Sequence, residues 1–160
     1  MLIAIWHGLR WQLLAVGALG RNLLFQGFIL FLLLGVGGFM IPQLLKGMPL
    51  NQPAAKPIGW QTHVACAVGI LLSFLLGAFV NPRLGMGFRA LFVTLEALGQ
   101  IKIHQKPIPN RLVPRSLQLS IWLLVTGLWG ATVAPTQFRL AFLHFSFVGG
   151  FALTVFAVAT

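Results

Sequence analysis

The stretch WQTHVACAVGILLSFLLGAFV, residues 60–80, followed at once by Asn81-Pro82-Arg83, governs how the rest of the chain is read. It holds no Asp, Glu, Lys or Arg. A helix rising about 1.5 Å per residue needs about this length to cross a hydrocarbon core about 30 Å thick. Pro82 cannot continue the helix before it, so the chain breaks there and turns back. A break this short makes the next helix an antiparallel neighbour.

Four further apolar runs lie around this one, at about 22–45, 84–101, 116–134 and 138–160. Ala134-Pro135-Thr136 is a second tight break. Two connections are longer. Residues 46–57 carry Pro49, Pro53 and Pro57, and residues 102–115 carry Pro107, Pro109 and Pro114 with four basic residues, so both are expected to be extended surface loops. In the first twenty residues His7, Arg10 and Arg21 can share one side of a helix, with Trp6, Leu9, Leu13 and Leu14 largely elsewhere. An interfacial helix is expected there, with a tilted sixth span as the alternative. The fold class is therefore all-α: one polytopic transmembrane bundle of about five spanning helices plus an N-terminal interfacial helix.

Composition agrees. Of 160 residues, 58% are hydrophobic and 8% charged, and the mean hydropathy is +0.93. That leaves too little polar surface for a soluble domain. Eleven Lys or Arg face a single acid, Glu96. The basic residues fall mostly in the gaps between runs, where they meet lipid phosphates, so the bilayer is the expected partner and nucleic acid is excluded. Arg10, Arg21, Arg83, Arg89 and Arg139 fall towards one side, and Lys46, Lys56, Lys102, Lys106, Arg111 and Arg115 towards the other. The positive-inside rule only weakly favours a cytoplasmic 102–115 loop. No cleavable signal peptide is evident, because Arg10 interrupts the first apolar stretch and nothing basic precedes it. The last run reaches Thr160 with no charged or aromatic anchor, which predicts a truncated C-terminus and further spans or another membrane subunit as partners.

The polar residues inside the runs are few. Ala65, Gly69, Ser73 and Gly77 recur every four residues, as do Ser146, Gly150 and Thr154; both sets read as faces for close helix packing. Cys66 is the only cysteine, so no internal disulfide or Cys-based metal site is available. Glu96, Gln100 and His104 step by four along one run. They form either an interhelical hydrogen-bonding stripe or a proton path and orienting partner for a metal ligand, and both readings stay open. His7 and His104 are expected in water. His63 and His144 lie inside apolar runs, where imidazole is a functional-site candidate and a common metal or haem ligand. Their helices start from opposite membrane faces, so one iron shared by both is not expected, whereas His144 and Glu96 lie at closer depths. Nothing supports hydrolytic catalysis: there is no Ser–His–acid set, no paired carboxylates and no phosphate-binding glycine loop.

Gly20-Arg21-Asn22-Leu23-Leu24-Phe25-Gln26-Gly27-Phe28, running into Leu34-Gly35-Val36-Gly37-Gly38-Phe39 and Pro42, resembles a segment of the NnrS family. So does Leu143-His144-Phe145, followed by Val148-Gly149-Gly150-Phe151 and Ala157-Val158-Ala159-Thr160. The resemblance covers most of this chain but less than half of a family member. It implies a multi-pass bacterial inner-membrane protein containing haem and copper and associated with the response to nitric oxide. Whether such a protein is an enzyme is left open. His144 is the ligand-type residue that the resemblance carries over, as a metal or haem ligand; His63 is added from its place in the membrane. The alternatives are a transporter segment with a polar path at Glu96, Gln100 and His104, and a structural membrane subunit.

Overall fold

A computed structural model describes residues 2–45, 60–101, 103–104 and 112–159. The expected loop at 46–57 lies outside the described residues, as do residues 102 and 105–111 of the expected loop at 102–115, whose residues 112–115 are instead helical, and the side chains of His7 and Gln100. The described residues form helices and turns and no strand. The protein is an all-α helical bundle.

Among the described residues, five helical rods follow one another. Rod α1 runs unbroken over residues 2–45, with π-helical turns at Leu23–Gly27 and Leu33–Gly37. Rod α2 is Trp60–Phe79. Rod α3 is Pro82–Glu96 and continues as the π-helical Ala97–Ile101. Rod α4 is Leu112–Val133, and α5 runs over 136–159, with a π-helical centre at Phe145–Ala152. Each π segment holds at least one glycine, whose missing side chain relieves the crowding of a wide turn.

The boundaries have local causes. Asn81 caps α3: its side chain accepts hydrogen bonds from the backbone N–H of Arg83 (2.8 Å) and of Leu84 (3.4 Å), and Pro82 occupies the first helical turn. Rod α4 begins at Leu112, a turn earlier than the apolar run, because Pro114 sits in its first turn, where the missing N–H costs nothing. The first twenty residues are continuous with the rod that follows, and α1 extends about 66 Å at about 1.5 Å per residue.

The rods pack as antiparallel neighbours around a core that includes Leu30, Ile70, Phe74, Ala90, Leu117 and Leu128. Small residues set the contacts. A β-carbon on Gly85 would stand 2.4 Å from the Gly77 Cα, so α2 and α3 touch backbone to backbone there. One on Gly69 would stand 2.5 Å from the Phe92 ring. Between α4 and α5, Ser146 Oγ donates to the Leu124 carbonyl (3.3 Å), Thr154 Oγ1 donates to Ser120 Oγ (2.9 Å), and Gly150 faces Leu124. Both small-residue series are thus contact faces, although Ala65 itself is exposed. Trp129 Nε1 donates to Thr94 Oγ1 (3.0 Å) and ties α4 to α3.

The surface is inverted relative to a water-soluble protein. Leu24 is 67% exposed, Val80 69% and Phe156 71%, and large apolar side chains are exposed on every rod. Among the described residues, four stretches are long and apolar enough to cross a membrane: Arg10–Gly35, Trp60–Phe79, Leu112–Val133 and Thr136–Ala157. Rod α3 carries Arg83, Arg89 and Glu96 and is the most polar of the five. The protein is a multi-pass membrane protein whose outer face is made for lipid.

Candidate functional site

Near one end of the bundle α2, α3 and α1 bring together three residues that are distant in sequence. His63 lies in the first turn of α2 and Glu96 at the end of the α-helical part of α3. Their Nδ1 and Oε1 atoms are 2.5 Å apart. The Glu96 side chain is 3% exposed and that of His63 32%. Gly38 of α1 closes the third side: a β-carbon there would stand 2.8 Å from His63 Cε1. Cys66, buried one turn along α2 from His63, lies beside the same carboxyl.

The pairing has chemical consequences. With the carboxylate ionised, the ring N–H at Nδ1 donates to Oε1, which fixes the tautomer and leaves the Nε2 lone pair free. That is how a carboxylate orients a metal-ligating histidine. The second carboxyl oxygen, Oε2, is buried without a partner. Glu96 also lines a cavity of about 30 Å³, with Gly38, Leu34, Ile121 and Thr154. A cavity of that size has room for about one or two waters, and an orphan carboxyl oxygen is where a water would be held.

The remaining candidates lie apart. His144 is exposed on α5, and its Nδ1 lies 3.0 Å from the Leu140 carbonyl oxygen, a bond within its own helix. The structure thus joins Glu96 to His63 and not to His144. His104 is exposed in the turn after α3, so the two ends of the Glu96–His104 stripe do not share an environment.

A second buried polar group escaped the sequence reading, which used Arg89 only to weigh orientation. Arg89 is 3% exposed. Its Nη1 donates to Gln26 Oε1 in the first π-turn of α1, and its Nε donates to Ser73 Oγ at 3.4 Å. Its guanidinium carbon lies 3.6 Å from the centre of the Phe74 ring. The chain's one acid is committed to His63, so Arg89 is held by neutral acceptors and a π-face. Arg89 and Glu96 are two helical turns apart on α3, about 10 Å along the axis. That i, i+7 spacing within one apolar run was the signal that both face inward.

Haem and copper make different demands on these residues. The described residues hold no group of three His, Cys, Asp or Glu side chains able to close around a metal ion. A haem iron asks for one protein ligand on a given face, and His63, with one nitrogen engaged and the other free, suits that role better than a share in a multi-ligand copper site.

In comparisons with known proteins, no family model, no curated protein and no solved structure matches the chain.

Proposed function

We propose that the chain belongs to an NnrS-like, metal-binding membrane protein in which His63, oriented by Glu96, is the leading ligand, with haem preferred over copper. One observation carries this reading: the 2.5 Å contact between Nδ1 and a buried carboxylate, which leaves Nε2 free. Bound there, a haem would supply an iron able to take diatomic ligands, in keeping with a bacterial inner-membrane role in the nitric-oxide response. The chain's own residues would hold the iron (His63), fix the imidazole tautomer (Glu96) and limit ring rotation (Gly38). His144 remains the second candidate ligand, on a face that another span or subunit would have to cover.

The test is loading with haem of the detergent-purified protein and of His63→Ala, His144→Ala and Glu96→Gln, each checked for helix content by circular dichroism. This reading expects a Soret band that is lost in His63→Ala and shifted in Glu96→Gln. A band that survives His63→Ala and disappears in His144→Ala moves the ligand to α5. A folded protein that gains no band overturns the haem reading.

A second reading, a proton-coupled transporter, is favoured by a different observation: the buried Oε2 of Glu96 has no hydrogen-bond partner among the described residues, and Glu96 lines a 30 Å³ cavity. It expects a pH-driven flux in proteoliposomes that Glu96→Gln abolishes and His63→Ala slows.

A further inference from the structure

Rod α1 outruns the rest of the bundle. Gly38 lies on the His63 ring and Gly27 on the Phe74 ring, so α1 and α2 run antiparallel with Arg21 close to the level of Val80. At that end α2 stops at Phe79, α3 starts at Pro82, α4 stops at Val133 and α5 starts at Thr136. The apolar span Trp60–Phe79 is about one hydrocarbon thickness long, and this register sets it level with about residues 22–41 of α1. In a straight rod Arg10 then stands about 16 Å outside the hydrocarbon, beyond a headgroup layer about 5–8 Å deep.

Residues 10–14 are exposed in an unbroken row, and five successive helical positions cover every side of the rod. No described part of the protein packs there. Trp11 is 65% exposed, Leu13 73% and Leu14 62%, which water disfavours. Hydrocarbon is no better a surrounding. A crossing at Arg10–Gly35 would set the exposed Arg21 at mid-membrane, facing lipid tails. The headgroup layer suits both sets of side chains, with guanidinium on phosphate and the Trp and aliphatic groups at the acyl boundary. Residues 2–22 hold no Asp or Glu, so their charge favours anionic headgroups. The rod also has a place to bend. The β positions of Gly17 and Gly20 meet nothing within 4 Å, and glycines are among the usual sites of a helix kink.

We propose that α1 bends at Gly17–Gly20 and that residues 2–16 lie flat in an anionic headgroup layer, with Arg10 on the phosphates and Trp11 and Val16 towards the acyl chains. This docking is independent of any metal at His63.

The test is a spin-label scan of residues 5–16, one label at a time, on the full Cys66→Ala chain in phosphatidylglycerol nanodiscs. Access to oxygen and access to a water-soluble nickel complex should alternate in opposite phase, with a period of about 3.6 residues and no trend along the chain. In phosphatidylcholine the alternation weakens. In the Arg10→Gln, Arg21→Gln double variant the two lipids give the same pattern. In the Gly17→Ala, Gly20→Ala variant the stiffened rod lifts away, and nickel access climbs steadily towards residue 5. The same steady climb in the parent chain overturns the proposal, because the segment then projects into water. So does low access to both reagents, the mark of cover by a second copy or another protein. A parent pattern that is the same in both lipids, or an alternation unchanged by the alanines, also overturns it. Circular dichroism of each variant checks the fold.

Discussion

At His63 the chemistry depends on which ring nitrogen is occupied. The Glu96 carboxylate takes Nδ1, and removing that partner in Glu96→Ala leaves an imidazole with no acceptor in a site mostly closed to water. Breaking such a pair costs about 3 kcal/mol, towards the lower end for buried pairs because His63 keeps some exposure. Glu96→Gln retains an acceptor and is expected to cost about 1 kcal/mol. Reversible unfolding in mixed detergent measures both, and equal losses for the two variants would contradict the pairing. Gly38→Ala tests the third side. Its methyl group would press on the ring from 2.8 Å and push Nδ1 away from the carboxylate. A loss of about 1 kcal/mol is expected, largely absent when His63→Ala is already in place, because the clash then has no target.

At the scale of the element, glycine has two opposite roles, and substitution distinguishes them. Gly85→Ala would drive a methyl group into the α2 backbone and is expected to destabilise by about 3 kcal/mol. Gly17, in the exposed part of α1, has nothing within 4 Å of its β position. Gly17→Ala should therefore stabilise the rod by about 0.5–1 kcal/mol, the usual gain of alanine over glycine in a helix. Thermal unfolding of the two variants should shift in opposite directions. The helices were legible because lipid demands long apolar runs, and Asn81-Pro82 marks a break with little ambiguity. The contact faces were legible too, since small residues at four-residue spacing have few other uses in a membrane. The π-turns were not, because a single extra residue in a turn leaves no compositional mark among Gly, Leu and Phe. The His63–Glu96 pair was legible only in its parts. Each residue stood out as polar within an apolar run, but their partnership depends on how far α3 slides along α2. That register is fixed by the Gly77–Gly85 contact, a feature of packing that no linear spacing displays.

For the whole molecule, charge and topology make a joint prediction. If α3 crosses the bilayer, Arg83 and His104 lie on opposite faces. Arg83→Cys and His104→Cys, each in a Cys66→Ala background, should react with a membrane-impermeant maleimide from opposite sides of sealed vesicles. Reaction of both from the same side would mean that α3 does not span. The two buried polar groups fit the crossing arrangement: Arg89 and the His63–Glu96 pair each lie one to two turns inside opposite ends, held by neighbouring rods rather than by water. Arg89→Leu should leave Gln26 without its donor and Phe74 without its cation, loosening α1 from α2 at that end.

The most direct measurement is the absorption spectrum of the haem-loaded, detergent-purified protein, oxidised and reduced, beside the same spectra of His63→Ala. A Soret band is expected in the parent and lost in the variant while helix content stays the same. A band of unchanged position and strength in His63→Ala would contradict the assignment of His63 as the ligand.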